Sequence, residues 1–238
     1  MSPRALAILT FTAAVAFAAG PFVVDFDGFD PTAYPNPQNR PPAQPAGYAF
    51  AIWGPIYLWL LASTGYGLLA RADDPDWIAS RPPLCVSLTI GAVWLPVAEL
   101  SPIWATILIW VMLITALVAL LRTPESDLWL LRAPLGLYAG WLTAASSVSV
   151  ALLGAGYGIL VGQIAWAVIA IALAFTIAVT IILTRKSPAT YVFAVAWALA
   201  AVIVQNATTA LLIAALAGLG AIATTGLFIN INRRKRAH

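Results

Sequence analysis

Long apolar runs, separated by short polar or proline-rich breaks, occupy the chain almost from end to end. A helix needs roughly 17–25 apolar residues to cross about 30 Å of hydrocarbon. Eight stretches approach or meet that length: 5–24, 47–70, 83–99, 103–121, 133–153, 158–183, 190–204 and 208–231, the seventh being the shortest. Spans three and four, and seven and eight, lie close enough to form tight hairpins, turning at Ser101-Pro102 and at Gln205-Asn206. No Lys, Arg or Asp falls inside a span, and Glu99 sits at a span end. The pattern predicts an all-α polytopic membrane protein. The first stretch also has the marks of a cleavable secretory signal, with Arg4 ahead of the apolar run and Ala16-Phe17-Ala18 near its end. We expect it as a retained span.

Charge placement supports the count, because short loops rich in Lys and Arg stay in the cytoplasm. With the N-terminus inside, one side holds Arg4; Arg71 and Arg81; Arg122 and Arg132; Arg185 and Lys186; and the terminal run Arg233, Arg234, Lys235 and Arg236. The other side holds Arg40 with Asp25, Asp27, Asp30 and Glu99. Adding or dropping one internal span would destroy that alternation, so both termini are expected to be cytoplasmic. The terminal basic run reads as an anchor at an anionic leaflet.

Composition narrows the chemistry. The chain is 62% hydrophobic and 9% charged, against roughly 45–50% and about 25% for soluble domains. One histidine, His238, and one cysteine, Cys85, exclude a His/Cys metal cluster and an internal disulfide. The net charge of +3 is read as a topology signal, and no nucleic-acid partner is expected. Within the spans, the ionisable groups that catalysis or proton pumping would need are missing. We expect no enzyme, no catalytic residue and no metal site.

Two connectors stand out. Residues 25–46 carry six prolines and form a candidate lid or a solvated linker. Residues 71–82 place Asp73, Asp74 and Asp76 beside Arg71 and Arg81, a helix-ending connector rather than a metal site. Small residues recur four apart at Gly136 and Gly140, Gly154 and Gly158, and Gly158 and Gly162, which points to spans five and six as the tightest contact, within the chain or between subunits. The run Ala214 to Gly220 offers span eight a similar smooth face.

Ten tryptophans are the most distinctive content. Trp77 and Trp129 in connectors, and Trp104 at a span start, suit an interfacial belt. Trp53, Trp94, Trp110 and Trp141 lie deeper, with Tyr57 on the same face as Trp53 and Tyr138 near Trp141. These rings either line a pocket or fill a core.

The chain resembles the tryptophan-rich sensory protein family, TspO/MBR, the bacterial relatives of the mitochondrial translocator protein. Four segments carry the likeness: PAGYAFAIWGPIY with Trp53 and Tyr57, GAVWLPV with Trp94 and Pro96, an apolar span four containing Trp110, and PLGLYAGWLTAA with Pro134, Tyr138 and Trp141. Gly91 stands where the family usually has asparagine, and a second family asparagine is replaced near Ser149. The resemblance is to a longer branch. It implies a five-helix core over 1–155 with the external loop 25–46, and about three additional helices with a basic tail over 156–238.

It further implies a bacterial inner-membrane protein that binds and senses a planar hydrophobic ligand such as a porphyrin or other tetrapyrrole, acting as a regulator. Trp53, Tyr57, Trp94, Pro96, Tyr138, Trp141 and Ala144 are the implied ligand-binding residues, with Arg40 meeting the ligand's carboxylates. No cofactor is obligatory; a tetrapyrrole or lipid is the candidate bound molecule. Membrane lipid, a second copy and other membrane-complex subunits are the candidate partners. The alternatives are an accessory or assembly subunit of a larger, pigment-bearing complex, docking through the glycine faces of spans five and six or through the added helices, and a facilitative transporter of hydrophobic molecules.

Overall fold

A computed structural model describes residues 1–24, 29–125, 127–184 and 187–236. Asp25, Asp27, Arg185, Lys186 and His238, and the side chains of Lys235 and Arg236, lie outside the described residues. The expected spans appear as the helices α1 (Pro3–Ala19), α2 (Trp53–Leu69), α4 (Arg81–Leu100), α5 (Pro102–Leu121), α6 (Ala133–Gly156), α7 (Gln163–Leu183), α8 (Ala189–Asn206) and α9 (Leu211–Arg236), with a short α3 (Pro75–Ile78) between α2 and α4. Seven of them are long and apolar enough to cross a membrane. The other, α2, has 17 residues and continues from a 3-10 turn at Gly47–Ile52.

Local chemistry sets the ends. Proline opens α1, α3 and α5 at positions where a helix has no use for the missing N–H. Ser101 is extended, so it stops α4, and its hydroxyl accepts the Trp104 amide at the start of α5. That one residue makes the expected hairpin, and the Trp94 indole clamps it by donating to the Ala105 carbonyl at 2.8 Å. The second hairpin, α8 to α9, turns after Asn206 as expected.

The helices close two rings. One runs α1, α2, α6, α5, α4 and back to α1; the other runs α6, α7, α9, α8 and back to α6. Helix α6 belongs to both and is buried along nearly its whole length. Its sequence permits this because its small residues let neighbours approach closely. A Cβ on Gly136 or Gly140 would strike Thr190, Tyr191 or Ala194 of α8 or Pro188 just before it, and one on Gly154 would strike the Trp166 ring of α7. The Thr190 hydroxyl donates to the Ala133 carbonyl at 2.7 Å across the same contact. Spans five and six do pack on each other as expected, with Gly154 of α6 against the Trp166 ring of α7, but the Gly136 and Gly140 face receives α8. Because α8 covers that face within the chain, it does not remain free for another subunit.

The end away from the 29–46 loop carries Arg71, Arg81 and Arg132. Buried Arg81 donates to the carbonyls of Gly67, Arg71 and Ala72, locking the α2 to α4 connector. Asp74 caps α3 through the Asp76 amide at 3.0 Å and lies 3.7 Å from Arg71. Trp77 was expected in an interfacial belt; instead it is 3% exposed, wedged against Gly67 of α2. Gly67, lacking a side chain, leaves the space that the Trp77 ring of α3 fills. Trp104 and Trp129, at 61% and 70% exposed, do face outward.

Gly140→Ala should destabilise the protein by about 1–3 kcal/mol through forced separation of α6 and α8, whereas Gly226→Ala, whose Cβ meets nothing within 4 Å, should not. Thermal unfolding of both variants in detergent checks this; an unchanged midpoint for Gly140→Ala would refute the close-contact account.

Candidate functional site

The middle of the five-helix ring is filled by aromatic side chains. Trp53 and Tyr57, one helical turn apart on α2, stack at 5.3 Å. Phe17 of α1 meets their edges at 5.7 and 5.0 Å and tilts against Tyr138 at 5.7 Å. Trp53 also reaches Trp141 at 6.2 Å. Gly91 makes this possible, since a Cβ there would lie 2.7 Å from the Phe17 ring. The Tyr138 hydroxyl is 2.9 Å from the Ser87 hydroxyl, and Ser87 donates to the Met112 carbonyl at 2.9 Å, which ties α4, α5 and α6 together. These rings pack on one another.

The open space lies beside them. A cavity of about 100 Å³ is bounded by Trp141, Ala144, Ala145, Val148 and Leu152 of α6, by Ala170, Ile171 and Ala174 of α7, and by Val195, Ala198, Leu199 and Val202 of α8. Trp94 of α4 and Ile109 of α5 close its other side, and Phe29, Ala43, Gln44, Pro45 and Phe50 cover it. Among the described residues that line it, none is ionisable.

The proline-rich loop is thus a cover, and hydrogen bonds to the later helices hold it down. The Asn36 amide donates to the Gly156 carbonyl at 2.8 Å. The Gln163 amide group donates to the Gln38 side chain at 3.3 Å. Asn206, at the end of α8, donates to the Pro42 carbonyl at 2.9 Å. The Ala46 amide reaches the Ala201 carbonyl at 3.1 Å, and the Trp197 indole donates to the Ala49 carbonyl at 3.0 Å. Tyr34 is buried against Gly156 and meets Tyr157 edge-on, and its burial pushes the phenol pKa up. The Thr32 hydroxyl and amide both donate to Asp30 and hold its carboxyl below the usual range. That small local support is present above the ordinary carboxylate pKa and is lost as pH falls through the lowered one.

Of the residues implied by resemblance, Trp94, Trp141 and Ala144 line the cavity. Trp53, Tyr57 and Tyr138 belong to the packed cluster next to it. Pro96 is exposed on α4, and Arg40 is exposed in the loop with a left-handed φ of 49°. Neither is among the lining residues. The α7 and α8 wall was missed. Its only advance signal was alanine at Ala170 and Ala174, one helical turn apart, and at Ala198, a spacing too common in membrane helices to stand out.

A model of the family described as TSPO-like protein matches residues 5–229. The chain belongs to the TSPO-like family. The match extends into α9, so the second ring of this TSPO-like protein lies within it as well as the first. No curated protein and no solved structure matches the chain. In this TSPO-like protein the cover is fastened chiefly to α8, so Asn206→Ala should loosen it. Hydrogen exchange at the Ala46 and Asn36 amides should rise about tenfold, as expected for losing one buried hydrogen bond; unchanged protection would show that Asn206 does not hold the loop.

Proposed function

We propose that this chain is a membrane-embedded receptor for a planar hydrophobic ligand, held in the cavity beneath the 29–46 cover and acting as a sensor rather than a catalyst. Family membership makes it a membrane ligand-binding and sensory protein at the level of the family, and its seven apolar helices suit an integral membrane protein. The observation that carries the finer reading is the covered apolar cavity with Trp94 and Trp141 in its wall. Flat indole faces favour flat guests, and a wall without ionisable groups offers affinity through shape and burial but little chemistry.

Size matters here. An apolar cavity of about 150 Å³ admits benzene, so at about 100 Å³ the space is smaller than one bound ring occupies, and even a small ring system enters only as the walls or cover give way. A porphyrin or other tetrapyrrole requires the cover to lift, which the separate hydrogen bonds of the loop allow one at a time. The distribution of Arg and Lys along the chain supports a bacterial inner-membrane orientation with both termini cytoplasmic and the cover on the outer side.

The test is tryptophan quenching in lipid nanodiscs by naphthalene and by protoporphyrin. Saturable quenching should survive Trp129→Phe, on the exposed connector, and disappear in Val148→Trp, which fills the cavity. Quenching that rises linearly and identically in wild type and Val148→Trp is partition into lipid and removes the reading. Saturation by naphthalene alone would restrict the ligand to small rings. Protoporphyrin flux into proteoliposomes that exceeds the flux into protein-free vesicles would assign transport instead.

A further inference from the structure

Helix α2 starts deep inside the bundle. Its first residue, Trp53, meets Trp141 at 6.2 Å, and Trp141 lies fifteen residues before Gly156, where α6 ends beside the cover. At 1.5 Å per residue that is about 22 Å down the helix, most of the roughly 30 Å of hydrocarbon. Above Trp53 the chain descends along α8 instead: Pro42 is held by Asn206, Ala46 by the Ala201 carbonyl and Ala49 by the Trp197 indole. Its last stretch, Gly47–Ile52, is a 3-10 helix of six residues, longer than this tight geometry usually runs. Backbone outside an α-helix is tolerated at such depth where protein buries it or where it lines a cavity. This stretch does line one, through Phe50.

Phe50 has two faces. Inward it bounds the cavity and meets the Trp141 ring edge-on at 5.7 Å. Outward it is open: Phe50 is 39% exposed, Tyr48 on the same turn is 48% exposed, and a Cβ on Gly47 or Gly54 would meet nothing within 4 Å. Every other described residue that lines the cavity is less exposed. So far below the end of α6, the outside is acyl chain. The backbone around Phe50 is fixed by the Ala46 and Ala49 bonds to α8 and by the start of α2, but the ring can turn about its own side-chain bonds without breaking any of them.

We infer that Phe50 is a side gate: the guests of this site are molecules dissolved in the bilayer, which enter past the Gly47–Ile52 turn as the ring swings outward, while the cover above stays fastened. Entry from above has to break the cover's bonds to Gly156, Gln163 and Asn206. An apolar solute is also concentrated in lipid over water, so supply is greatest on the side that Phe50 faces. The swing adds room beside a space of about 100 Å³. The inference rests on the ligand-binding reading above and adds to it the source of the ligand and its way in.

Fluorine NMR exchange spectroscopy, with 1-fluoronaphthalene dissolved in the lipid of nanodiscs, reads entry and exit rates at equilibrium. Phe50→Ala should raise both rates about tenfold, the effect of removing one ring-on-ring contact from the closed state. Phe50→Trp, which enlarges that contact, should lower both. Asn206→Ala, which loosens the cover, should change either rate less than about twofold.

A rise in the exit rate alone in Phe50→Ala is weakened binding and would overturn the gate. Acceleration by Asn206→Ala with none by Phe50→Ala would also overturn it, and would place the entry beneath the cover. Should Phe50→Ala not fold, unchanged rates in Phe50→Trp count against the gate in the same way. A wild-type spectrum without a bound resonance at any probe concentration would remove the ligand-binding reading itself.

Discussion

Inside a bilayer, burying apolar surface against another helix gains little over burying it in lipid, so helices hold together by close shape and by hydrogen bonds that lipid cannot offer. In this chain that constraint falls most heavily on α6. Gly136, Gly140 and Gly154 let α8 and the Trp166 ring come nearer than any side chain would permit. Its hydroxyls bridge outward, Ser146 to the Ile109 carbonyl and Thr143 to the Tyr191 hydroxyl. One helix can therefore be shared by two rings, and the cavity arises where the two meet.

The tryptophans divide the labour that follows. An indole supplies a broad apolar face and one donor, and in a hydrocarbon environment the donor needs a carbonyl. Trp59 gives its N–H to the Trp129 carbonyl, Trp94 to Ala105, Trp166 to Ile159 and Trp197 to Ala49. Each bond joins two segments at a turn or beneath the cover, so the indoles fasten the ends of the bundle as well as filling it. The indoles of Trp110 and Trp141 are buried without a hydrogen-bond partner among the described residues, and Trp141 lines the cavity.

Packing in the first ring and space beside it are linked through small residues. Gly91 admits the Phe17 ring, and with Phe17 in place Trp53, Tyr57 and Tyr138 close into a cluster. The room is transferred to the other side of Trp141, where alanines of α7 and α8 stand back. The cover follows, fastened to Gly156, Gln163, Ala201 and Asn206 rather than to the helices that precede it. The later helices are thus wall and anchor of the candidate site.

What the amino-acid order determined alone is what local chemistry and lipid dictate: the apolar spans, the Ser101-Pro102 and Asn206 turns, and the all-α class. These depend on run length, capping and charge, which are properties of neighbouring residues. Trp94, Trp141 and Ala144, which the family resemblance implies as ligand-binding residues, line the cavity. Only the tertiary structure decided that Gly140 faces Tyr191, fifty-one residues later by numbering, that Phe17 occupies the space beside Gly91, and that Arg40 and Pro96 stand outside the wall. A glycine states that something comes close without stating what, and a tryptophan looks the same in sequence whether its ring meets a core, a guest or lipid. Which of these holds depends on helix rotation and partner choice, and those are settled by all the contacts together.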